Sequence, residues 1–85
     1  WGRNKIIAHL KQKRITARCI KDALKEIDEQ EYRDMLYSLA LTKWKSKNGS
    51  PFEIKIKVQR YLVSKGYEFD LIYNALEDVE IELKE

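Results

Sequence analysis

The chain has little of what most functional classes need. One cysteine, Cys19, in 85 residues excludes an internal disulfide and a multi-cysteine zinc site, and fits a reducing compartment. One proline and three glycines leave long stretches free to run as helix. The one histidine, His9, has no second metal ligand or nucleophile at a useful spacing and reads as a partly exposed helical residue. No glycine-rich phosphate loop, metal-ligand spacing or cofactor motif is present. Asp22/Glu26 and Glu77/Asp78 are carboxylate pairs on what read as solvated helix faces, not acid–base pairs. No apolar run approaches the ~18 residues that cross a membrane, and no stretch reads as a signal peptide. The expectation is a small non-enzymatic module with no membrane association.

What the chain does have is charge and helical periodicity. Charged residues make up 36% and apolar residues 44%, a mixture with enough apolar content to fold. Seventeen basic against fourteen acidic residues leave a net charge of +3, unevenly placed. The stretches 3–25 and 43–65 are mainly basic, and 77–85 is mainly acidic. That pattern suits an anionic partner, although solubility alone would also explain it. A chain this short buries only about 60–65% of the surface that its unfolded form exposes. Its core must be thin. The chain opens on Trp1, directly inside a helical pattern, which points to a piece of a longer protein.

The periodicity predicts five helices. The first runs over Arg3–Gln12, with Ile6 and Leu10 on one face. The second runs over Ala17–Ile27 behind a Thr16 cap, with Cys19, Ile20, Ala23, Leu24 and Ile27 as its apolar stripe. Cys19 is therefore expected as a buried core thiol. The third opens at Asp28, with Glu31 in capping-box position, buries Tyr32, Met35, Leu36, Leu39 and Ala40, and fades near Lys47 before Asn48-Gly49. The fourth has Ser50 as N-cap, Pro51 at the first helical position and Glu53 three residues after the cap. It ends at Lys65-Gly66. The fifth covers Phe69–Val79, with Phe69, Ile72, Leu76 and Val79 inward. The pattern leaves open whether it runs on through Leu83 into the acidic tail.

An internal repeat underlies this order. Residues 5–24 match residues 57–76 at an offset of 52 (57 − 5): Lys5/Lys57, Leu10/Leu62, Lys13/Lys65, Ile20/Ile72, Ala23/Ala75 and Leu24/Leu76. Each copy is a helical hairpin too small to bury its own apolar face, so stacked neighbours must supply the core. The fold class expected is all-α, built of tandem three-helix repeats. The expected division is 1–48 and 49–85, with the third helix of the second repeat short or absent and with chain missing upstream.

The fourth helix carries the most information about partners. Ile54, Val58, Tyr61 and Leu62 read as its core face. Phe52, Ile56 and Val63 form a second apolar stripe, within about 40° of one another at 100° per residue, with Arg60 beside them. Such a helix is either sandwiched inside the domain or docks on a partner. Tyr37, Leu41 and Trp44 make a similar stripe on the third helix and could cover the fourth. The basic residues Lys13, Arg14, Lys57, Arg60 and Lys65, with Lys43 and others nearby, could follow a phosphate backbone or an acidic protein groove. Lys13-Arg14 and Lys65 sit at equivalent hairpin ends.

The stretch Trp1-Gly2-Arg3-Asn4-Lys5-Ile6, with Leu10, Lys13, Ile15, Ile20 and Ala23-Leu24 after it, resembles the middle repeat of RecX proteins. Residues 57–67, Lys-Val-Gln-Arg-Tyr-Leu-Val-Ser-Lys-Gly-Tyr, followed by Phe69-Asp70, Ile72 and Ala75-Leu76, are similar to their last repeat. The resemblance implies a cytoplasmic bacterial regulator that lies in the groove of the filament formed by the RecA recombinase on DNA. It further implies inhibition of RecA's strand-exchange, coprotease and ATPase activities, with single- or double-stranded DNA as a further partner. One departure is Arg14, which stands where a glycine is usual. The first turn is therefore expected to close differently.

Overall fold

A computed structural model describes residues 1–84. It contains α1 (Arg3–Gln12), α2 (Ala17–Lys25), α3 (Glu29–Ser46), α4 (Pro51–Ser64) and α5 (Phe69–Lys84), with no strand among the described residues. The fold is all-α. Three of the helix starts are made by the side chains the sequence points to. Thr16 Oγ1 accepts from the Cys19 N–H at 3.2 Å, Asp28 Oδ1 from the Glu31 N–H at 2.9 Å, and Ser50 Oγ from the Glu53 N–H at 3.3 Å. Each bond satisfies an N–H that has no partner inside its helix. α2 stops at Lys25, short of the expected Ile27. α5 continues to Lys84, because the acidic tail keeps the helical pattern and its Val79 is fully buried.

The core lies between α3, α4 and α5. α3 contributes Tyr32, Leu36, Ala40 and Trp44, four apart, to a cluster with Ile54, Val58 and Leu62 of α4 and Leu71, Ile72, Ala75, Leu76 and Val79 of α5. α3 meets both other helices, so its buried face is broad and turned toward Trp44. Tyr37 and Leu41 pack half-buried at its margin. That rotation leaves Met35, expected in the core, 58% exposed. Phe69, expected inward, is also exposed, because the inner face of α5 begins with Leu71 and Ile72.

The hairpin α1–α2 is set apart. Its helices pack on each other, and neither packs along α3, α4 or α5. The molecule is accordingly long, 44 × 23 × 17 Å. This grouping differs from a division after residue 48: by packing, α3 sits with α4 and α5, because its apolar stripe faces them. The isolation of the hairpin also corrects the expectation for Cys19, which is exposed. In the second copy the equivalent positions, Tyr67, Leu71 and Ala75, are buried in the cluster that α3 completes. Over Ile15, Cys19 and Ala23 no described helix lies, and all three are exposed.

The two hairpin turns close alike despite their different residues. Gly66 has φ +90°, and its counterpart Arg14 has φ 59°. Arg14 thus adopts the left-handed conformation that glycine accepts freely and other residues adopt at a cost of about 1–2 kcal/mol. The Arg14 side chain is exposed, so little packing offsets that cost.

Two stability predictions follow from the packing. Leu36→Ala, at a site only 1% exposed, should cost about 3 kcal/mol in chemical denaturation, a large share of a small domain's stability. Arg14→Gly should raise stability by about 0.5–1 kcal/mol, whereas a loss would show that Arg14 makes a compensating contact.

Candidate partner-binding surface

The outward side of α4 carries two adjoining strips. On a helical wheel Phe52, Val63 and Ile56 fall within about 40°, Arg60 lies about 40° beyond Ile56, and Lys57 about 60° beyond Arg60. Phe52 is 72% and Val63 49% exposed. Ile56 is half-buried, and Lys57 and Arg60 are exposed. The opposite side, Ile54, Val58 and Leu62, is in the core. Helix α4 is therefore packed on one face only, and its apolar stripe lies beside its basic residues on the outside.

Tyr61, half-buried beside the core, collects cations. Lys43 Nζ of α3 lies 4.4 Å and Lys65 Nζ 5.5 Å from the centre of its ring. Lys5 Nζ of α1 lies 4.8 Å from the Trp1 ring, whose edge meets His9 at 5.4 Å between centroids. A cation over a ring face is attracted by the ring's electron density, more so where water is partly excluded. Among the described residues none of Lys5, Lys43, Lys57, Arg60 and Lys65 forms an ion pair; the paired cations are Arg3, Arg33 and Lys55. Lys5 also lies against Gly66, since a Cβ on Gly66 would fall on the Lys5 backbone. Lys5 and Lys65 thus flank the same turn.

The structure places the expected residues unevenly. Lys57, Arg60 and Lys65 share α4 and its C-cap. Lys13 and Arg14 lie at the far end of α1, which at 1.5 Å per residue is about 15 Å from the helix start near Gly66. Sequence reasoning left Trp1, Lys5 and Tyr61 out of the candidate set. Trp1 and Lys5, and Tyr61 and Lys65, are each four residues apart, a spacing visible in the sequence, whereas Lys43 reaches Tyr61 from a neighbouring helix.

Arg3 is the other residue the sequence did not single out. Its guanidinium bonds Glu68 at 2.7 Å, pairs with Glu29, and lies 4.1 Å from the centroid of the Tyr32 ring. The Tyr32 hydroxyl accepts the Arg3 backbone N–H at 2.8 Å and donates to Glu68. Burial, and then the bond to Glu68, raise the Tyr32 pKa well above its ordinary value. The guanidinium is held protonated chiefly by the Glu68 hydrogen bond. Glu29 is held below the usual carboxylate range by hydrogen bonds from Arg33 and then Arg3. Around this group the backbones touch. Gly2 N–H donates to the Lys65 carbonyl and Asn4 N–H to the Gly66 carbonyl, both at 2.8 Å. A Cβ on Gly2 would land on the Gly66–Tyr67 peptide.

No group of three or more His, Cys, Asp or Glu residues able to hold a metal occurs among the described residues, and no described helix is long and apolar enough to cross a membrane. A family model described as RecX, third three-helix domain, matches residues 29–76, more than half of the chain. The chain belongs to the RecX family. It is 35% identical over 72 residues to the regulatory protein RecX of Clostridium perfringens strain 13, covering 81% of this chain and 34% of that protein. It is 31% identical over 80 residues to the regulatory protein RecX of Clostridium botulinum strain Eklund 17B, covering 91% of this chain and 38% of that one. The chain therefore spans little more than a third of the length of these curated relatives. No solved structure matches it. The RecX match begins at the first residue of α3 and ends at Leu76 of α5, so it covers all of α3 and α4 and the first half of α5. The family is one of regulatory proteins, not of enzymes.

The Glu29 shift makes an acid-range prediction. Its folded pKa is lowered, so its contribution to stability is complete above the usual carboxylate range and is lost as pH falls through the folded value. In an NMR titration the Glu29 carboxyl should show a midpoint below that of an unpaired glutamate. An ordinary midpoint would show that its bonds to Arg33 and Arg3 do not persist in solution.

Proposed function

We propose that this chain is the part of a RecX regulator that binds the RecA recombinase filament and inhibits its recombination, coprotease and ATPase activities. RecX family membership supports the regulatory role. The observation that carries the binding mode is a set of cations that form no ion pair among the described residues: Arg60 and Lys57 beside the stripe of Phe52, half-buried Ile56 and Val63, and Lys43, Lys65 and Lys5 around Tyr61 and the Gly66 turn. Lysines and arginines free of partners need no internal ion pair to be broken before they meet an anionic groove, and an apolar strip beside them supplies area that excludes water. Lys13 and Arg14 would contact a more distant part of the same filament. The mechanism is occupancy: an elongated helical molecule lies in the groove, bridges neighbouring subunits and blocks entry of a DNA strand.

A second reading is direct binding to DNA. Lysines interleaved with the Tyr61 and Trp1 rings favour it, because phosphates and unstacked bases use those two chemistries together. The readings separate on bare DNA. Binding of the purified chain should be measured to RecA filaments on single-stranded DNA, to the same DNA alone and to free RecA, each at two salt concentrations. The regulator reading expects filaments to be preferred over both components. Equal affinity for bare DNA would replace it with the second reading. Charge reversal at Lys57, Arg60 and Lys65 should weaken filament binding tenfold or more with helical content unchanged. If the contacts are to single-strand phosphates, it should also flatten the log–log salt dependence by about 2. An unchanged affinity would remove these three residues from the surface.

A further inference from the structure

Among the described residues, the hairpin α1–α2 is attached to the three-helix unit α3–α5 at two places only. One is covalent, residues 26–28, where Ile27 rests half-buried against the core. The other is the group around Arg3. No helix-on-helix packing backs either attachment. Within α3–α5 a layer of buried apolar side chains sets the angle between helices. Here polar geometry must set it.

We propose that Arg3 is the latch of an articulated joint. It fixes the angle of α1–α2 against α3–α5, and so aligns Trp1 and Lys5 with Lys43, Tyr61 and Lys65. The axis is the 26–28 connection, and the latch is the contact between residues 2–5 and residues 65–68. Arg3 closes it from three directions. One guanidinium nitrogen bonds Glu68, just ahead of α5, at 2.7 Å, another pairs with Glu29 at the start of α3, and the plane rests 4.1 Å from the centre of the Tyr32 ring. Two carboxylates on different elements and one ring face define both position and tilt. A planar fork can satisfy all three, whereas an ammonium is a single point charge. Gly2 and Gly66 permit the close approach, with no room for a Cβ on either.

The joint itself stands apart from any function. Only the alignment of the cationic surface rests on the binding role proposed above.

Cys19, the single thiol, is exposed on α2, and Ser38 is exposed on α3. Spin labels at Cys19 and at Ser38→Cys report the angle as a distance distribution, with the parent sequence giving one narrow peak. Arg3→Ala should at least double its width or add a second population. Arg3→Lys should fail to restore it, and the pair Glu29→Gln with Glu68→Gln should reproduce the loss. Circular dichroism and the denaturation midpoint of α3–α5 should stay near those of the parent. A peak as narrow and as centred in Arg3→Ala as in the parent overturns the latch, and so does full restoration by Arg3→Lys. If Arg3→Ala loses helix, the glutamine pair and the lysine variant decide by the same criteria.

The alignment is read separately. Arg3→Lys keeps the charge and touches no residue of the surface, yet should lower filament affinity severalfold. An unchanged affinity with a broadened distribution rejects the alignment and leaves the joint. A parent chain that binds no filament rejects the binding role and the alignment together, while the distance measurement still decides the latch.

Discussion

The seam along α3 is the constraint on which the rest depends. Tyr32, Leu36, Ala40 and Trp44 are spaced four apart, so they drift slowly around the helix and can meet two neighbours in turn. Ala40 is fully buried, and its small side chain permits close approach at the middle of the seam. Because α3 fills the space over both α4 and α5, one side of α4 is committed to the core. Phe52, Ile56, Val63, Lys57 and Arg60 are thereby left to the solvent side. The candidate surface is a consequence of that packing.

Tyr32 connects the seam to the joint. Its ring belongs to the core cluster, lies 5.5 Å from the Tyr67 ring and faces the Arg3 guanidinium, while its hydroxyl takes one bond from the Arg3 backbone and gives one to Glu68. A residue that is apolar on one side and hydrogen-bonded at its tip suits this boundary between a dry core and a polar contact. The two regimes differ physically. Apolar burial resists salt, whereas the Arg3 group depends on hydrogen-bond geometry and on partly exposed charges that salt screens.

The repeat shows how far equal sequence leads to equal structure. Both copies form a hairpin, and both turns adopt the left-handed residue, even where arginine replaces glycine. Burial then diverges. Leu71 and Ala75 are core residues, but Cys19 and Ala23 are exposed, because a side chain's burial depends on what lies opposite and not on its own helix. The same reason accounts for Met35 and Phe69: each sits on a plausible apolar stripe, and the direction of the packed neighbour decides otherwise.

Local chemistry determined much of this protein from sequence alone. Helix starts at Thr16, Asp28 and Ser50, the break at Gly66, the all-α class and the resemblance to RecX proteins are written in short-range patterns, since caps and periodicity act within one or two turns. The basic residues of α4 were legible as candidates for the same reason. Tertiary structure alone decided that α3 groups with α4 and α5, that Lys43 reaches Tyr61, and that Arg3 reaches Glu29 and Glu68. These contacts join residues up to 65 apart in the chain. They depend on how whole helices are set against one another, a property that no single stretch of sequence carries.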